Sequence, residues 1–173
     1  MAKGDTFFLR TKITTDSTNY VSDDIDISAY TDPARGRVLV VDRAIITFGT
    51  DGNGPINAGD VASGAGTKAC GAQACTEKQT AFVEMSNNSL FMRSNLYAST
   101  VTGPNLSLME QTDALNPAEF VGGFIVPTDA IHCGIDSTTA WAGELDVGFL
   151  FEVHTEKLSL QRIQELLVSL TAN

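Results

Sequence analysis

Residues 139–158 read TAWAGELDVGFLFEVHTEKL. Trp141, Leu145, Val147, Phe149, Phe151 and Val153 all fall on odd numbers, and Glu144, Asp146, Gly148, Glu152 and His154 fall between them. Successive side chains of a β-strand point to opposite faces, so this spacing buries one face and wets the other. A helix would scatter the same apolar residues around its circumference. The stretch is long for one strand, and a bend near Gly143 or Gly148 would divide it. It is expected to be the last strand of the chain and central in its sheet.

Working outward, the same period of two recurs. Phe7 to Thr15 alternates, and so does Val21 to Ala29. Arg37 to Thr50, RVLVVDRAIITFGT, is rich in β-branched residues. Val38, Val40, Ala44, Ile46 and Phe48 are assigned to one face, with Asp42 interrupting it, so a bend or bulge is predicted near Asp42 and Arg43. Residues 51–78 contain six glycines and no clear alternation, which predicts a long loop. Gln79 to Met85 and Leu90 to Ala98 are predicted as a hairpin around Ser86-Asn87-Asn88-Ser89. Ser99 to Pro117 is expected to be mostly loop. Ala118 to Val126 is predicted as a strand softened by Gly122-Gly123, followed by a short strand over Ile131 to Asp136.

The period changes at the end. Leu160, Ile163, Leu166, Leu167 and Leu170 lie three and four apart, opposite Gln161, Arg162, Gln164 and Glu165. That is an amphipathic helix over 159–170, with Ser159 as its N-cap. The whole is an all-β chain, a sandwich or single jelly roll of about eight antiparallel strands with a short C-terminal helix. With 173 residues and no visible linker or repeat, it is expected to be one domain over 1–173.

Composition narrows function. Hydrophobic residues make up 43% and charged residues 18%, which excludes a disordered chain. The low charge suits a protein that packs against copies of itself. Eleven Lys and Arg against 21 Asp and Glu give a net charge of −10. Phosphate backbones reward cations, so direct nucleic-acid binding is not expected. The N-terminus lacks the apolar core of a signal peptide, and no run is long enough for a membrane helix. Synthesis in a cytoplasm is expected, and the two Asn-X-Ser sequons at Asn87 and Asn105 are taken as chance.

Chemistry-bearing residues are few. His132 and His154 are the only histidines. His154 sits between Glu152 and Glu156 on the polar face of the long strand and is expected to be exposed. No nucleophile elbow and no phosphate-binding glycine loop is present. Asp23, Asp24 and Asp26 are expected to form a solvated strand edge, since alternation separates Asp23 from the other two. Cys70 and Cys75 share the predicted loop. They read as free thiols with Cys133, or as a loop disulfide between Cys70 and Cys75. A zinc set of Cys70, Cys75, His132 and Cys133 fits poorly, because adjacent strand residues face opposite ways. No catalytic residue, cofactor or metal site is expected.

The Gly-rich 51–78 stretch, and VPTDAIHCGIDSTT followed by AWAGELDVGFLFEV, give the chain a likeness. It resembles the single-jelly-roll coat proteins of tailless icosahedral viruses, above all the smaller major capsid protein of membrane-containing phages of Thermus and their haloarchaeal relatives. The likeness covers the whole chain in pattern. It implies a non-enzymatic structural coat protein of the virion, assembled in the host cytoplasm. It also implies contacts with copies of itself, with a second, larger coat protein, and with a viral membrane beneath the shell. The stripe Leu160, Ile163, Leu167 and Leu170 is the candidate assembly surface. The alternative is a carbohydrate-type ligand-binding sandwich, which should expose aromatic side chains, whereas Trp141 reads as core-facing.

Overall fold

The computed structural model describes residues 4–15, 18–50, 54–56, 66–100, 107–141 and 143–170. The strands are β1 (Phe7–Thr15), β2 (Val21–Asp26), β3 (Arg37–Thr50), β4 (Gly54–Pro55), β5 (Gly66–Cys75), β6 (Leu90–Thr100), β7 (Ser107–Leu115), β8 (Phe124–Val126), β9 (Ala130–Ser137) and β10 (Leu145–Lys157). One helix, α1 (Leu160–Leu170), follows.

All pairings among the described residues are antiparallel, and they nest. β1 pairs β10, β2 pairs β9, β3 pairs β8, and β5 pairs β6. The chain is thus one long double ribbon, rolled so that alternate pairs fall in different sheets. Sheet A runs β1-β10-β3, with β4 and β8 both beyond β3; sheet B runs β2-β9-β5-β6-β7. This nesting is the jelly roll. β7 is an extra hairpin partner of β6 at one edge of sheet B.

The core lies between the sheets. β10 is central in sheet A, as its sequence predicts, and buries Leu145, Val147, Phe149, Phe151 and Val153 there. Trp141 is buried with them, and its indole donates to Ser137 Oγ. Phe91 of β6 crosses the gap, its ring 6.0 Å from Phe151 and 5.0 Å from Phe124. The long terminal stretch is not divided at Gly148, which lies inside continuous β10; the break falls before Leu145.

The register between β3 and β10 shifts between Glu152 and Val153: Arg43 faces Glu152, Val41 faces Val153, and Asp42 is left over. The predicted bulge is therefore present at Asp42. It corrects the assignment of one face, because an extra residue reverses parity. Ala44 and Ile46 point into the core together with Leu39 and Val41. Val38 and Val40 are buried too, but on the outer side of sheet A. Val40 shares that side with its cross-strand partners His154 and Ile125.

α1 stands beside this outer patch. Ile125, Phe124 and Pro127 line a groove of about 480 Å³ with Leu166 and Leu170. Ser159 caps the helix as predicted, its Oγ accepting from the Arg162 N–H at 3.3 Å.

Four predicted segments are corrected. Residues 66–75, read as loop, form β5 at the centre of sheet B. Cys70, Ala72 and Ala74 face the core, while Gly71, Gln73 and Cys75 face outward. Small residues have weak strand propensity, so the alternation was faint in sequence. Residues 51–53 and 57–65 of the same predicted loop lie outside the described residues. Gln79 to Met85 is no strand but a strap over the outer face of β5. Gln73 holds it, donating from Nε2 to Ala81 O and accepting at Oε1 from Val83 N, both at 3.0 Å. The strap's polar backbone is satisfied by a side chain instead of a ladder. Gly71 admits the Phe82 ring: a Cβ there would lie 2.4 Å from the ring tip. Within Ser99 to Pro117, read as loop, β7 occupies 107–115. Within Ala118 to Val126, only 124–126 is strand, because Gly122 and Gly123 take positive φ in a turn.

Candidate functional site

The predicted stripe on α1 divides. Ile163 and Leu170 are 3% and 8% exposed and dock on their own chain, whereas Leu160 and Leu167 are 53% and 38% exposed. Val168 joins the exposed pair, one position beyond Leu167 and eight beyond Leu160, which keeps all three on one side of the helix. Across the groove from α1 stand Phe120 and Val121, also exposed, on the turn before β8. The α1 wall of this groove is Arg162, Leu166, Ser169 and Leu170, so the exposed Leu160, Leu167 and Val168 form a separate apolar patch on another side of the helix. The half of the stripe that sequence reasoning assigned to assembly, and that remains open, is Leu160 and Leu167. Phe120, Val121 and Val168 were missed. A Val-Gly-Gly run gives no apolar period to find.

His154 is the reverse of its prediction. It is 2% exposed, not a surface strand residue. Its Nδ1 lies 2.6 Å from Asp42 Oδ2 and its Nε2 lies 3.3 Å from Glu156 Oε1. The bulge contributes to this by setting Asp42 beside the ring. A histidine with both nitrogens on carboxylates is fixed in place and has no free nitrogen with which to act as a base.

The other histidine heads a row across sheet B. Asp24, His132 and Cys75 are successive cross-strand partners on β2, β9 and β5, so all three face outward. His132 Nδ1 lies 2.7 Å from Asp24 Oδ1, and Lys78 Nζ lies 2.9 Å from Asp24 Oδ2. The His132 ring first, and Lys78 second, hold the Asp24 carboxyl below its usual range. The order carboxylate, imidazole, thiol is that of a cysteine hydrolase. The thiol disagrees. Cys75 is buried, and burial pushes its pKa up to about 12, against a smaller lowering by a hydrogen bond with Ser89. A nucleophilic cysteine needs the opposite shift. The row reads as a structural ion pair beside a buried thiol.

The remaining candidates separate. Cys70 and Cys75 are free, and the loop disulfide between them is not formed. They lie five positions apart in one extended strand and face opposite sides, a span of about 16 Å that no S–S bond bridges. Cys70 and Cys133 face the core while Cys75 and His132 face outward, so the four residues of the weighed zinc set are not brought together. Asp23 is set apart from Asp24 and Asp26, as alternation requires. It points to the open edge of the sandwich, where the Thr11 hydroxyl donates to it.

No family model matches the chain, and no curated protein matches it.

Proposed function

We propose that this chain is a structural coat subunit that builds a shell by packing against copies of itself, without catalysis. One observation carries the reading. The sandwich closes its own core, filled by Phe91, Phe149 and Phe151, yet leaves Leu160, Leu167 and Val168 exposed on α1 and Phe120 and Val121 exposed on the turn before β8. Grouped exposed hydrophobic side chains mark an interaction site more often than scattered single residues do. The jelly-roll path supports the reading in a general way, because coat proteins, lectins and cupins all use it, and fold alone does not fix function. The low share of charge, 18%, favours repeated contacts. In this reading the partner that covers these exposed side chains is a second copy of the chain. A second, larger coat protein and a membrane below the shell complete the virion.

The test is mass against concentration. Wild type should show a light-scattering mass above the monomer that rises with concentration. The double variant Leu160→Ser/Leu167→Ser should stay monomeric with a Tm close to that of wild type, because both side chains are exposed. A wild-type mass that stays monomeric up to the solubility limit overturns self-assembly, and so does an unchanged oligomer in the variant.

A further inference from the structure

The outer face of sheet B carries a cleft that none of the readings above uses. Its floor is Ala69 and Gly71 of β5, a methyl group and a hydrogen. Asp136 of β9 and Thr138 just after it stand on one side, and β6 supplies Asn95 and Tyr97 on the other. The register fixes this placement: Asp136, Gly71 and Asn95 form one row, and Ala69 and Tyr97 belong to the next. Phe82 makes the end wall. Its ring rests on Gly71, with the Arg93 guanidinium stacked 4.4 Å from the ring centre. Arg93 also donates to Val83 O at 3.2 Å, which ties wall and strap to β6. The volume is about 240 Å³.

The polar groups in this cleft are underused. Among the described residues, the Asn95 carboxamide and the Tyr97 hydroxyl have no hydrogen-bond partner. Asp136 Oδ1 accepts from the Ser137 N–H at 2.8 Å, and its second oxygen has no donor among the described residues. Tyr97 stands 45% exposed in the middle of a strand. On β7, Glu110 lies across from Tyr97 and Thr112 across from Asn95, which extends the polar rim.

The chemistry selects a ligand. An anion would meet Asp136 and Glu110 on a chain of net charge −10. A purely apolar ligand would strip water from Asp136 and Asn95 and leave both unpaired, at a cost. A neutral sugar ring has one face of C–H groups that stacks on an aromatic plane. It also has a rim of hydroxyls that donate to carboxylates and exchange hydrogen bonds with a carboxamide. Tyr97 offers the amphipathic plane, Asp136 the acceptor and Asn95 both functions, over the Ala69 methyl and beside the Phe82 ring that covers Gly71.

We propose that this cleft binds one neutral pyranose ring, stacked on Tyr97 with its hydroxyls on Asp136 and Asn95. The inference does not rest on self-assembly and is read by a different measurement. On a shell subunit such a cleft would attach the particle to surface glycans.

The test uses the full chain and the methyl glycosides of glucose, galactose, mannose and N-acetylglucosamine, read by saturation-transfer NMR. Transfer to the ring C–H protons of at least one glycoside is expected. Tyr97→Ala and Asp136→Asn should each weaken binding about tenfold or more, which corresponds to about 1.4 kcal/mol. Tyr97→Phe should retain most of it. Phe8→Ala removes an exposed aromatic from the opposite sheet and should change nothing. Should Tyr97→Ala fail to fold, Asn95→Ala carries the same expectation. Absence of transfer from all four glycosides overturns the proposal, as does transfer that survives loss of both Tyr97 and Asn95.

Discussion

Asp42 is the residue that the β3–β10 register leaves over, and its carboxylate lies 2.6 Å from Nδ1 of His154, a ring buried on the outer side of sheet A. The bulge thus joins two things. It reverses the parity of β3, so that Val38 and Val40 serve the outer patch while Ala44 and Ile46 serve the core. It also delivers a carboxylate to Nδ1 of a buried histidine whose other nitrogen faces Glu156.

Substitution and insertion at this position should therefore differ. Asp42→Ala removes one partner of a buried polar group and should cost about 1–3 kcal/mol. Deleting Asp42 removes the same partner but leaves Leu39, Val41, Ala44 and Ile46 in one unbroken alternation with their β10 partners unchanged, so its cost should stay in that range. Inserting one residue after Asp42 should instead turn one half of β3 onto the wrong face and abolish the cooperative urea transition. An insertion no worse than Asp42→Ala would show that the bulge does not set the parity of β3.

Phe149 lies in the core and Glu152 on the outer side of the same strand. Phe149→Ala should cost about 3–5 kcal/mol. Glu152→Ala should stay within about 0.5 kcal/mol. Urea melts of the two variants measure the contrast, and equal losses would reverse the assigned faces of β10.

Gly71 gives Phe82 its seat. Gly71→Ala should push the ring off β5 at a cost of about 1–3 kcal/mol and expose the strap to limited proteolysis over 77–89. Adding Phe82→Ala should make the Gly71→Ala step nearly free, since the clash is then gone. Additive losses in that double-mutant cycle would mean the two residues do not meet.

The three thiols are buried, and burial raises them: Cys70 to about 11, Cys75 to about 12, and Cys133 in the same direction. A group whose folded pKa is raised holds its proton longer in the folded state. Its contribution is complete below the unfolded value, about 8.5, and is lost as pH rises toward 11–12. Stability should therefore fall through that alkaline window, and less steeply in a Cys70→Ala/Cys75→Ala variant. A disulfide-exchange reagent at pH 8 should titrate no thiol in the native chain and three after unfolding. Prompt reaction of the native chain would show an accessible thiolate.

The sequence by itself determined the strands whose side chains are large. In β1, β3 and β10, branched and aromatic residues alternate with polar ones, and only a two-residue period satisfies that pattern. Ser159 and the three-and-four spacing after it fixed α1 in the same local way. Asp42 marked the bulge, because a charge on an apolar face is a local contradiction.

Tertiary structure alone decided what has no local signature. β5 is a central strand because neighbours on both sides pair with it and Phe82 covers it, although its own methyls and thiols carry little pattern. The reading of 79–85 failed because apolar residues in a strap and in a strand look alike until the partner is known. The pairing of His154 depends on a bulge residue 112 positions before it, on another strand. The Tyr97 cleft exists only where three strands come into register, and single-residue alternation holds no record of which strands those are.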